Sequence, residues 1–128
     1  MTFCAMKNNI LFPINGVLSA LLLVSFFSCS EKKFTRELST PEMTIHIVGN
    51  KPNALDPFTV GLNVTHKQSK KTATLNMEVY ANDLNDSNPT FEAKDKGKYA
   101  LIFNQTDNTI RELIIYVQDN EVVLEEIL

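Results

Sequence analysis

Between Phe58 and Thr65 every second residue is apolar: Phe58, Val60, Leu62 and Val64 alternate with Thr59, Gly61, Asn63 and Thr65. Strand side chains point alternately to opposite faces, so a period of two buries one face and wets the other; a helix would scatter the same residues around its axis. The period recurs along the chain. Met43, Ile45 and Ile47 form one such run, and Leu75, Met77, Val79 and Ala81 another. Phe91 with Ala93, then Tyr99, Leu101 and Phe103, then Leu113, Ile115 and Val117 continue it, and Val122 to Leu124 close it. Ile114 and Tyr116 make the Leu113 run apolar on both faces, which predicts a strand in the middle of a sheet. The breaks carry turn chemistry: Gly49 to Asn53, Asp56-Pro57, Lys67 to Lys71, Asn82 to Pro89, Asp95 to Lys98 and Asp119-Asn120. Short strands at close spacing predict an all-β domain over residues 41–128, a β-sandwich or barrel of about seven antiparallel strands.

The first 28 residues obey a different rule. Their only charge is Lys7, and Ile10 to Phe27 carries none. A basic start, an apolar run and a small residue at the exit, Ser28, are the parts of a secretory signal. Cys29 follows at once. The segment resembles a lipoprotein signal peptide, in which the cysteine after the apolar run is acylated and becomes the new N-terminus. That resemblance implies a signal over 1–28, lipidation of Cys29 and anchoring of the chain to a membrane of the cell envelope. The domain would face the periplasm or the surface, with the Gram-negative outer membrane as the expected site. A transmembrane anchor and an ordinary secretory signal are the alternatives for this segment. Residues 29–40, rich in charge, read as a flexible tether.

Composition restricts the chemistry. The chain has 12 basic and 15 acidic residues, a net charge of −3, with no clustered basic face of the kind that holds nucleic acid. Both cysteines, Cys4 and Cys29, precede the domain, so neither disulfides nor thiolate chemistry is expected within it. His46 and His66 are the only histidines, and no local motif sets a nucleophile beside either. The Asn/Asp run from Asn82 to Asn88 offers oxygen ligands, yet lacks the spacing of a calcium loop and reads as a turn. Tyr80 falls on the outward face of its strand, where a tyrosine suits a protein interface.

Three further pieces, Pro57-Phe58-Thr59-Val60, Leu75-Asn76-Met77-Glu78 and Gly97-Lys98-Tyr99, make the stretch from Pro57 to Val117 resemble the small immunoglobulin-like domains of the YtkA/FixH type. That resemblance implies that the domain is an immunoglobulin-like β-sandwich of about seven antiparallel strands. Through some relatives it also implies copper handling or assembly of copper-containing oxidases by Met and His near the polar loop. In this chain the loop from Asn82 to Pro89 has neither residue, and the candidate ligands are Met43, His46, His66 and Met77. The expectation is a non-enzymatic binding or accessory module for a protein partner, without a cofactor beyond the lipid on Cys29. The alternative is a periplasmic copper-binding or oxidase-assembly protein.

Overall fold

The computed structural model describes residues 31–127; Cys29, the signal segment and Cys4 lie outside the described residues. The described chain is two antiparallel four-stranded sheets packed as a β-sandwich. The first sheet is a meander of β1 (Lys32–Ser39), β2 (Met43–Lys51), β3 (Phe58–His66) and β4 (Thr72–Val79). The second is a meander of β5 (Thr90–Ala93), β6 (Tyr99–Asn104), β7 (Ile110–Gln118) and β8 (Glu121–Ile127). All seven expected strands form. In an immunoglobulin-like sandwich the strands interleave between sheets through Greek-key connections. Here only the β4–β5 connection passes from one sheet to the other, so the strand order is that of two stacked meanders.

The eighth strand is β1, and it corrects the expectation of a flexible tether. Its residues pair with β2 from Lys32↔Lys51 to Ser39↔Thr44. Phe34, Arg36 and Leu38 are its half-buried positions, spaced by two. An arginine in the middle of that inward set hides the period from a hydropathy reading. Its aliphatic stem covers the edge of the core while the guanidinium finds a polar partner, as long cationic side chains do. Arg36 Nη1 donates to the carbonyl of Pro89 at 2.6 Å, tying β1 to the segment that opens β5. Thr40 turns the chain into β2: its buried hydroxyl oxygen accepts the amide protons of Glu42 and Met43 at 3.2 and 3.1 Å.

The core is the inward set of both sheets. Ile45, Ile47, Phe58, Val60, Val79, Phe103, Leu113 and Ile115 are fully buried, joined by Met43 and Met77. β7 lies between β6 and β8, which accounts for its apolar residues on both faces. The β7–β8 hairpin turns at Asp119 and Asn120, both at positive φ, the backbone of a two-residue turn that matches strand twist. On the opposite margin Arg111 of β7 ion-pairs with Glu126 of β8 and donates through Nη1 to the carbonyl of Glu78 on β4 at 2.9 Å. Arg36 and Arg111 therefore fasten the sandwich along two different margins.

Candidate functional site

The meanders sort the loops into two ends. One end holds the start of β1, the β2–β3 loop, the β4–β5 connection and the β6–β7 loop. The last two are joined there by backbone and side-chain bonds: Thr106 N–H to the Tyr80 carbonyl at 2.8 Å, and Tyr80 N–H to Gln105 Oε1 at 3.0 Å. An open groove at this end is lined by Lys51, Leu55, Asp56, Tyr80, Asn82 and Thr106.

Lys51 organises that groove. It closes β2 and is only 6% exposed. A buried ammonium needs partners for its protons, and Lys51 Nζ donates to the carbonyls of Asp56 at 2.7 Å and Ala81 at 3.0 Å. It also lies 5.4 Å from the centroid of the Phe58 ring, within cation–π range. One side chain thus pins the β2–β3 loop to the β4–β5 connection. Around it stand the most exposed large apolar groups of the groove, Leu55 at 93% and Tyr80 at 52%.

The other end holds the β3–β4 and β7–β8 turns. His66 is 5% exposed and lines a second concavity with Pro41, Glu42, Lys67 and Gln68. Its Nδ1 lies 2.7 Å from Ser69 Oγ. That pairing of hydroxyl and imidazole serves the turns. Ser69 Oγ also donates to the carbonyl of Asn120 at 2.9 Å and accepts the Lys71 amide at 3.3 Å, so it bridges the two sheets. Lys71 Nζ and Glu121 add an exposed ion pair at 3.4 Å across the same seam.

The four candidate copper ligands do not converge. Met43 and His66 are direct partners in the β2–β3 register, both buried at the end of the sandwich that holds the β3–β4 turn. Met77 faces the core beside Val60, which is opposite Gly49. Six residues along β2 separate Gly49 from Met43, a span of roughly 20 Å. His46 points outward at 50% side-chain exposure, with Nδ1 3.7 Å from Glu37 Oε2. Among the described residues no three His, Cys, Asp or Glu side chains gather as a metal-binding group. Within the Asn82–Asn88 run, Asp83, Asn85 and Asn88 turn side-chain oxygens to backbone amides. Asn85 Oδ1 accepts the amides of Ser87 and Asn88 at 2.7 and 3.2 Å, and the Asn88 side chain pairs with the backbone of Asn104 through both of its polar atoms.

Tyr80 is exposed, as its outward position in the sequence suggests. Lys51 and Leu55 escaped sequence reading, because an isolated lysine and an isolated leucine in a turn-rich stretch carry no periodic signal. Only the meeting of loops at one end gives them a setting. No family model, curated protein or solved structure matches the chain.

Proposed function

We propose that this chain is a cell-envelope lipoprotein, anchored by a lipid on Cys29, whose sandwich acts as a non-enzymatic binding or accessory module for a protein partner. The observation that carries the reading is the place where the folded domain starts. β1 begins at Lys32, three positions after the cysteine that closes the signal-like segment. An edge strand fused almost directly to an acylated residue is a device for holding a rigid domain at a membrane. Two or more acyl chains give firm anchoring where one is marginal.

Five of the groups capable of chemistry, Lys51, His66, Ser69, Met43 and Met77, are engaged in structure, which supports a binding role. Lys51 is held by two carbonyls, and the Ser69–His66 pair closes turns. Met43 and Met77 fill the core. Mass spectrometry of the mature protein tests the anchor: the expected product begins at an acylated Cys29. An unmodified Cys29, or retention of residues 10–27, refutes it. Titration of the purified protein with Cu(I) tests the accessory role. Tight binding lost in His46→Ala or Met77→Ala would replace it with the copper reading.

A further inference from the structure

The exposed large apolar side chains of the described residues are unevenly placed. They are Val48, Leu55, Tyr80, Ile110 and Ile127. Val48 lies on the outer face of the first sheet. The other four gather toward the end where β1 starts. Leu55 and Tyr80 line the groove there, Ile110 follows the β6–β7 loop, and Ile127 pairs with Glu112, two residues further along β7.

Chain reach makes this end special. From Cys29 to Lys32 there are three Cα steps, about 11 Å at full extension. β2, at nine residues, spans roughly 30 Å from one end of the first sheet to the other. A lipid on Cys29 therefore keeps the Lys32 end within about 11 Å of the bilayer, while the end with His66 and Gln68 lies a strand's length from Lys32. Lys32 is itself fixed there, its Nζ donating to the carbonyl of Asn82 at 3.0 Å.

We propose that the Leu55–Tyr80 rim is a membrane-contact surface that seats the sandwich upright in the lipid interface. The proposal rests on lipidation of Cys29. Leu55 supplies an apolar tip, and Tyr80 an amphipathic ring of the kind that settles at headgroup level. Ile110 and Ile127 extend the apolar margin onto the second sheet. Electrostatics is not the driving term. Lys51 is buried, and Asp56, Asp83, Asp86 and Asp107 share the end with Lys32 and Lys33. The contact is therefore apolar, and the acidic excess at this end makes it stronger on zwitterionic than on anionic lipid.

The chain contains no tryptophan, so a single introduced one reports its own surroundings. Leu55→Trp and Gln68→Trp, both at exposed positions at opposite ends, are made in the full-length protein. Each is reconstituted in phosphatidylcholine vesicles, with and without brominated acyl chains, after mass spectrometry of its N-terminus. The expected result is blue-shifted emission from Leu55→Trp that bromolipid quenches, with water-like, unquenched emission from Gln68→Trp. Water-like emission at both positions on protein with an acylated Cys29 overturns the proposal and leaves the anchor intact. A blue shift at Leu55→Trp that bromolipid does not quench also overturns it, assigning the rim to a protein contact. An unmodified Cys29 removes the anchor and this inference with it.

Discussion

Arg36 Nη1 donates to the carbonyl of Pro89 at 2.6 Å, joining an edge strand of the first sheet to the entry of the second. The bond is part-buried, and hydrogen bonds to charged groups contribute more than neutral ones. Arg36→Ala is expected to cost about 2 kcal/mol through the lost bond and the uncovered core edge. Arg36→Met restores the apolar stem and should recover part of that loss. Urea denaturation midpoints at constant m-value measure both.

The same arginine explains where sequence reading stopped. Seven strands were legible because their inward residues are apolar at a period of two, from Met43 to Leu124. β1 has the same period, but its inward set reads Phe34, Arg36, Leu38 and is surrounded by Lys32, Lys33 and Glu37. Charge on an edge strand discourages pairing with other chains, and this makes the strand look like a linker. The strand order was not legible, since sequential meanders and interleaved Greek keys present the same alternation. The groove around Lys51 depends on carbonyls of Asp56 and Ala81, and a backbone carbonyl leaves no mark on a sequence.

Lys51 should behave as a structural cation. Lys51→Met keeps the apolar stem and removes the ammonium, leaving the Asp56 and Ala81 carbonyls without their donor. A loss of about 1–3 kcal/mol is expected. Hydrogen exchange should rise selectively in residues 52–57 and 80–82, because Lys51 bonds to both segments. A uniform rise across all strands would show a global effect instead.

Gly49 sits on the inward face of β2, where an added Cβ would meet Leu84 Cδ1 at 3.3 Å and Phe58 Cδ1 at 3.4 Å. The neighbours are side chains, so a methyl group is accommodated by small shifts. A larger group is not. Gly49→Leu overpacks the core and is expected to cost about 1–3 kcal/mol, with Gly49→Ala well inside that range. Thermal unfolding of the two variants ranks them.

Lys70 adopts φ 65° in the β3–β4 turn, a left-handed conformation that disfavours residues with a Cβ. Its amide still donates to the His66 carbonyl at 2.9 Å, a bond that needs no side chain. Lys70→Gly relieves the backbone cost and loses part of the gain to extra freedom in the unfolded chain. A net gain of about 0.5 kcal/mol is expected, and Lys70→Val should reverse the sign. Chemical denaturation of the pair checks it.

Asp107, in the β6–β7 loop, accepts the Thr109 hydroxyl proton and the Thr109 amide at 3.0 Å. These bonds, the hydroxyl bond first, favour the carboxylate and lower its pKa below the ordinary aspartate value; slight desolvation opposes them. A carboxyl whose folded pKa is depressed stabilises the fold fully above its unfolded pKa, and loses that contribution as pH falls through the folded value. The loop carries Gln105 and Thr106, which bind Tyr80, so acidification should loosen the margin of the groove before the sheets respond. Carboxyl chemical shifts from an NMR titration give the Asp107 pKa, and the Thr106 amide reports the loosening. In Asp107→Asn the acid-dependent change at Thr106 should disappear. Its persistence in that variant would place the acid response in a different carboxylate at the same end.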